Sequence, residues 1–322
     1  MTNYLLEELE KEAVMGDVGK ELQRQIPIID LSDSAHRQKQ ITEELWSAGS
    51  KHGFFQVSGH GISRENIENV FQLAEDFFSL PYEVKKQYLM KGNAGYERMS
   101  QVRPSTGVSD QKESLQITRT SVDGFLPEDT VIPTFRETLL RFERQCWALS
   151  MRILSCFAHR LGFLSDFFEI AHDPSQPTYQ CTLRLLMYPP VNDITPGRWG
   201  AGAHTDFDCV TLLFQQKGGD GLQICPGKDM RSKTWTTIPA RGSVITCNIG
   251  DMLMRWSDDQ LKSTFHRVIP RSMASARPRY SIAFFAQANE DIMIKSKSGK
   301  YPAISAGEYL RTRMVANYAH AL

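Results

Sequence analysis

The chain has 322 residues, and its 37 Lys and Arg balance 37 Asp and Glu, so its formal net charge at pH 7 is zero. That balance excludes the strongly basic character of a nucleic-acid binder or of a protein that clings to an anionic membrane surface, and no protein partner is evident. With 41% hydrophobic residues, no run apolar enough to cross a bilayer and an N-terminus rich in Glu, Lys and Gln without a secretory apolar segment, the chain reads as a globular, cytoplasmic protein.

Residues 4–24 read as a charged amphipathic helix, and 26–31 as a short strand. A helix over 40–51 leads to a second strand over 53–57, ended by Gly59-His60-Gly61. Ser63 is placed to cap a helix carrying Ile67, Val70, Phe71, Ala74, Phe77 and Phe78, which Pro81 stops. Residues 89–133, punctuated by Gly92, Gly95, Pro104, Gly107, Pro127 and Pro133, read as irregular. From about 134 to 161 the apolar positions Phe135, Leu139, Phe142, Cys146, Leu149, Ile153, Phe157 and Leu161 step by three or four, the stripe of a long spine helix.

After Gly162 the texture changes to short strand-like runs at 181–188, 210–215, 222–225, 243–248, 266–270 and 281–287. Many short strands behind a helical first half predict a mainly β fold with α (α+β), a double-sheet barrel or jelly roll. The expected organisation is a helical, mixed N-terminal region over 1–135, a spine helix and connector over 136–177, a β core over 178–290 and a C-terminal helix and tail over 291–322. The six cysteines, Cys146, Cys156, Cys181, Cys209, Cys225 and Cys247, are dispersed without a C-x-x-C, so we expect reduced, mostly buried thiols.

Two constellations carry chemistry. On a strand, residues two apart share a face, so His204 and Asp206 would point the same way, with Thr205 pointing away. His266, on another strand-like run, can complete a 2-His-1-carboxylate set, the arrangement that leaves one face of an octahedral Fe(II) open. A His two positions before an Asp also arises by chance, and an inward His can simply be a satisfied core residue. The second constellation is Arg279 with Ser281, again on one strand face. An inward Arg279 requires an anion, because a buried unpaired guanidinium is strongly unfavourable. Arg277 competes but lacks a hydroxyl two residues on, and both arginines would be ordinary if the strand lay at the surface. In 184–188, Arg184, Leu186 and Tyr188 share a face. Tyr188 could offer its phenol to the same anion, and Arg184 would add a second cation, unless it pairs with an acid such as Glu113. Phe207, next to Asp206, either lines the substrate side or packs in the core. Tyr96, Arg103 and Gln116, in the irregular segment, could cover the cavity.

The chain resembles the Fe(II)- and 2-oxoglutarate-dependent dioxygenases of the isopenicillin N synthase-like type over nearly its whole length. The resemblance rests on Ile26-Pro27-Ile28-Ile29-Asp30, Gly53-Phe54-Phe55-Gln56-Val57 running into His60-Gly61-Ile62, Leu80-Pro81, Gly95-Tyr96, Asp110-Gln111-Lys112-Glu113, Tyr188-Pro189, His204-Thr205-Asp206, Gly221-Leu222-Gln223, Asn248-Ile249-Gly250-Asp251, His266-Arg267-Val268 and Arg279-Tyr280-Ser281. It implies a double-stranded β-helix, iron on His204, Asp206 and His266, and the distal carboxylate of 2-oxoglutarate on Arg279 and Ser281 with help from Tyr188. It also implies dioxygen as oxidant, ascorbate as a supporting reductant, and oxidation of a small molecule by hydroxylation, desaturation or ring rearrangement, as in secondary metabolism. Leu186 stands where the family often has Asn. Two alternatives share the ligand set: an iron oxidase that uses dioxygen without 2-oxoglutarate, and a zinc-dependent hydrolase.

Overall fold

The computed structural model describes residues 6–16, 18–191, 198–272 and 277–317. It is a mixed α/β structure, with two main sheets and eight α-helices among the described residues. Apolar alternation builds the larger sheet. Its strand order is Ile28–Asp30, Phe54–Ser58, Ile245–Ile249, Val210–Gln215, Arg279–Ala286, Thr182–Tyr188, Glu113–Thr118 and Gly95–Arg98. Every pairing is antiparallel except that of the first two strands.

The two faces of this sheet have different tasks. Leu183, Leu185, Met187, Leu212, Phe214, Ile282 and Phe284 pack with the long helix Phe135–Leu161 in the main core. Phe142 of that helix sits 5.0 Å, ring to ring, from Phe214. The spine helix is therefore where its three-and-four spacing predicted. From the opposite face, Leu186, Tyr188 and Ala283 meet Ala201, Leu222, Ile224 and Val268 of the smaller sheet. That sheet has the order Lys20–Glu21, Thr234–Thr237, Leu222–Cys225, Phe265–Val268, Ala201–His204. A cavity that reaches the candidate site lies between the sheets.

Three sequence expectations need adjustment. The first helix covers only Glu7–Ala13, and Lys20–Glu21 instead pairs in parallel with Thr234–Thr237. The helix expected over 40–51 begins earlier, as Ser34–Lys51. The segment 89–133 supplies two strands of the large sheet, Gly95–Arg98 and Glu113–Thr118. The last helix, Ala306–Asn317, matches its expected span. All six cysteines are buried and unpaired. Among the described residues no helix is long and apolar enough to cross a membrane.

Candidate active site

His204 ends the strand Ala201–His204, and Asp206 lies just past it rather than on it. His266 stands directly opposite His204 in the antiparallel ladder, where a register shift between His266 and Val268 adjusts the pairing. The two rings are 4.2 Å apart. Asp206 Oδ1 lies 3.8 Å from His204 Nε2 and 3.6 Å from His266 Nε2, and one ligand atom from each of the three residues falls within 4.8 Å of the others. All three side chains are buried.

Each group is prepared for a cation. Nδ1–H of His204 donates to the Gly202 carbonyl at 2.7 Å, and Nδ1–H of His266 to the Thr264 carbonyl at 3.2 Å. A carbonyl can only accept, so Nε2 carries the free lone pair in both rings. Burial, helped by the positive charge of Arg103, pushes the His204 pKa well below its ordinary value, which favours the neutral imidazole a metal requires. On Asp206, Oδ2 accepts from Thr211 Oγ1 at 2.6 Å and from Asn248 Nδ2 at 2.8 Å, leaving Oδ1 for the cluster. Burial opposes its ionisation, but the imidazoles of His266 and His204 and these hydrogen bonds outweigh it and hold the carboxyl below the usual carboxylate range. Two imidazoles with Nε2 turned inward and one oriented carboxylate oxygen fit a divalent cation.

The cluster lines a cavity of about 680 Å³, mouth included, that runs between the sheets toward Arg279. Arg279, Ser281, Ala283 and Phe285 alternate into this cavity along one strand, as Arg184, Leu186 and Tyr188 do along its neighbour. Arg279 is 5% exposed; its guanidinium stacks 4.1 Å from the Tyr188 ring centroid, and Nη1 donates to the Asp220 carbonyl at 2.9 Å. Gly221, with φ of +137°, makes room for it: a Cβ there would sit 2.2 Å from Arg279 Nη1. Arg277, the competing candidate, is exposed. A guanidinium and a cluster of three residues able to hold a cation thus line one cavity.

Residues 26–130 match the family of non-haem dioxygenases in morphine synthesis, N-terminal region, and residues 179–288 match the 2OG-Fe(II) oxygenase superfamily. The chain is 32% identical to the 2-oxoglutarate-dependent dioxygenase tropC of Talaromyces stipitatus, over 92% of this chain and 95% of that one. This chain belongs to the 2OG-Fe(II) oxygenase superfamily. It is an oxidoreductase that uses Fe(II), 2-oxoglutarate and dioxygen. It is also 33% identical to the 2-oxoglutarate-Fe(II) type oxidoreductase hxnY of Emericella nidulans, over 92% and 91% of the two chains. The crystal structure of a full-length Neurospora crassa protein in complex with alpha-KG and thymine superposes with a TM-score of 0.78 at 29% identity, covering 90% of this chain and 96% of that one.

On the other flank of the metal cluster, the oxygenase has a second cavity that shares Arg103, Arg184, His204, Asp206 and Phe285 with the first. Phe207 lines it, and so do Leu310 and Met314 from the C-terminal helix. Arg184 does not pair with Glu113. Its Nε donates to Gln116 Oε1 at 2.6 Å, and its guanidinium lies 5.3 Å from the Phe285 ring centroid. Glu113 is taken by Lys85 at 2.7 Å and by the Tyr96 hydroxyl at 2.6 Å.

In the sequence Arg103 stands out only as a residue of a covering segment, and Asp110 and Lys112 only as part of a motif. Asp110 Oδ2 accepts from Arg103 Nε at 3.0 Å and from Lys112 Nζ at 2.7 Å, while Asp110 Oδ1 takes the Gly202 amide at 2.8 Å. Arg103 Nη1 also donates to Asn317 Oδ1 at 3.2 Å, tying the cavity wall to the C-terminal helix.

A second network, not visible in the sequence, lies behind the H-T-D segment. Thr205 points away from the cluster and donates to Asp251 Oδ2 at 3.0 Å. Arg313, fully buried on the C-terminal helix, donates through Nη2 to Thr205 Oγ1 and to Glu12 Oε2, both at 3.1 Å, and its guanidinium lies 4.5 Å from the Phe207 ring centroid. The signal was weak, because Glu12 and Arg313 are 301 positions apart and each reads as an ordinary surface charge on its own helix.

Proposed function

We propose that His204, Asp206 and His266 hold Fe(II), that Arg279, Ser281 and Tyr188 hold the distal carboxylate of 2-oxoglutarate, and that Arg184 and Phe207 contact a small organic substrate. The observation that carries this reading is the pairing of ends in one buried cavity: three converging ligand atoms at one end and a guanidinium at the other. When bound, Fe(II) couples the oxidative decarboxylation of 2-oxoglutarate to oxidation of an unactivated substrate C–H bond by dioxygen. The protein's part is positional. Arg279 and Ser281 orient the cosubstrate by its far end, Thr211 and Asn248 keep Asp206 Oδ1 turned inward, and Phe54 backs the His266 ring edge-on at 5.4 Å. Leu186, Leu222 and Val268 keep the space apolar and exclude water.

We place the substrate in the second cavity, where Phe207, Leu310 and Met314 supply apolar contacts. A small-molecule substrate is supported by the thymine in the Neurospora crassa complex, and a role in secondary metabolism by the match to the dioxygenases in morphine synthesis. The sheet order supports a double-stranded β-helix core within 178–290, preceded by a mixed region over 1–135 and the spine over 136–177, and closed by 291–322. Six unpaired buried cysteines support a reducing, cytoplasmic setting.

The test is to supply purified protein with Fe(II), ascorbate and 2-oxoglutarate and to measure succinate against oxygen uptake. We expect both, with uptake rising further when a substrate from a small-molecule panel is added. Oxygen uptake without succinate would instead indicate the iron oxidase, and hydrolysis sustained by zinc alone would indicate the hydrolase.

A further inference from the structure

The second cavity holds a polar side chain that the oxygenase reading leaves unused, and the wall fixes which way it points. Gln101 is 4% exposed and lines this cavity with His204, Asp206, Phe207 and Phe285. Its backbone carbonyl accepts from the Asp110 amide at 2.9 Å, which anchors the segment that carries it. Its side-chain Oε1 accepts from Lys112 Nζ at 2.6 Å. Burial lowers the Lys112 amine to about 8, so at neutral pH it is still an ammonium, and Asp110 Oδ2 holds it at 2.7 Å. An ammonium only donates, so Oε1 is the end of the amide turned to Lys112 and Nε2 is the other end. Nε2 has no hydrogen-bond partner among the described residues. A half-used amide this deeply buried favours a ligand that brings an acceptor to it.

The neighbouring polar groups are engaged or adaptable. Gln116 receives Arg184 Nε on its Oε1 and donates through Nε2 to the Asn93 carbonyl at 2.8 Å, while Asn93 Nδ2 donates to Thr182 Oγ1 at 3.2 Å. Arg184 also has the Glu97 carboxylate beside it, and Arg103 is held by Asp110 and Asn317. Gln287 meets Thr182 Oγ1 at 3.2 Å, a hydroxyl that can donate or accept, so either end of its amide can turn to the cavity. Gln101 differs from all of these: its environment turns a neutral donor to the cavity and spends the acceptor elsewhere. The Phe207 and Phe285 rings, with Leu310 and Met314, supply the apolar part of the same lining.

We propose that the substrate of this oxygenase is a neutral carbonyl compound with a flat apolar body, and that Gln101 Nε2 donates to its carbonyl oxygen while Phe207 and Phe285 meet the body. This rests on the oxygenase reading above and deepens it. It makes Gln101 a specificity-determining residue: a methylene in place of the carbonyl oxygen would leave the amide unsatisfied, and an N–H there would oppose donor to donor.

The test uses full-length protein loaded anaerobically with Fe(II) and 2-oxoglutarate at neutral pH. Formation of the visible charge-transfer absorption of that loaded state reports on the oxygenase reading by itself, before any probe is added. Ketones and their exo-methylene isosteres (acetophenone and α-methylstyrene, α-tetralone and its methylene analogue) are then titrated while the shift of that absorption is followed. We expect the ketones as a set to bind at least as tightly as the isosteres, although water solvates a ketone better. Gln101→Glu keeps an oxygen for Lys112 and puts a second oxygen where Nε2 stood. It should weaken the ketones relative to their isosteres by about three- to tenfold, the worth of one neutral hydrogen bond, with the unprobed absorption retained. Gln101→Met, which removes the donor without adding charge, should do the same. Ketones that fail to bind or bind more weakly than their isosteres in the wild type, or variants that weaken ketone and isostere alike or neither, would overturn the proposal. Absence of the absorption in the unprobed wild type would overturn the oxygenase reading instead.

Discussion

At the scale of single residues, the geometry of the His204, Asp206 and His266 cluster depends on groups outside it. Thr211 Oγ1 and Asn248 Nδ2 occupy one oxygen of Asp206 and so decide which oxygen faces the two imidazoles. Thr211→Val keeps the shape and removes the hydroxyl. Such outer partners typically alter metal affinity or activity about 10- to 100-fold, so the variant is expected to weaken apparent Fe(II) affinity by that factor with little change in the 2-oxoglutarate KM. Titrating Fe(II) into the apoprotein measures it, and unchanged affinity would show that Asp206 needs no such support. At the other end, Arg279→Met removes a charge-assisted anchor worth about 1.5–3 kcal/mol, so the 2-oxoglutarate KM should rise roughly 10- to 150-fold while iron content is retained. An unaltered KM would remove Arg279 from the cosubstrate site. These residues were legible because strand periodicity alone puts Arg279 with Ser281, and Arg184 with Tyr188, on one face. Asp206 was legible as a type and not as a place, since it lies just beyond the end of its strand. Glu113, named as one possible partner of Arg184, falls on the opposite face of the strand Glu113–Thr118 from Gln116, which stands beside Arg184 in the ladder.

At the scale of elements, the first helix acts as a strap for the site. Glu8 receives Arg255 Nε at 2.9 Å, and Glu12 receives Arg313, the residue that braces Thr205 between two of the proposed ligands. Glu12 is fully buried, and burial raises its carboxyl to about 7 against the attraction of Arg313. The native state therefore holds a proton between about pH 4.5 and 7 that the unfolded chain releases, and this group lowers stability as pH rises through that window. Glu12→Gln keeps an acceptor for Arg313 and removes the titration. The variant should match the wild type near pH 4 and exceed it at pH 8 by up to about 3 kcal/mol, as read from denaturant unfolding at several pH values. A difference independent of pH would contradict this account. The strap was hidden in the sequence because its helix is short. Gly19, at φ of +67°, turns the chain out of helical geometry into the pairing with Thr234–Thr237, a long-range contact that overrides local periodicity. The strands Gly95–Arg98 and Glu113–Thr118 were hidden for another reason. Their buried positions also carry Glu97, Ser114 and Gln116, so only Tyr96, Leu115 and Ile117 are left to mark the apolar alternation of a strand.

At the scale of the whole molecule, two sheets enclose one cavity with a cluster able to hold a cation, His204, Asp206 and His266, at one end and the Arg279 guanidinium at the other. The last helix lines the second cavity through Leu310 and Met314, and its Arg313 ties it to Glu12 of the first helix. The most direct test of this arrangement is a crystal structure of the protein grown anaerobically with Fe(II) and 2-oxoglutarate. The account predicts one metal bonded to Nε2 of His204, Oδ1 of Asp206 and Nε2 of His266, with the free carboxylate of 2-oxoglutarate on Arg279 and Ser281. A metal bound elsewhere, or a cosubstrate whose free carboxylate lies away from Arg279, would contradict it.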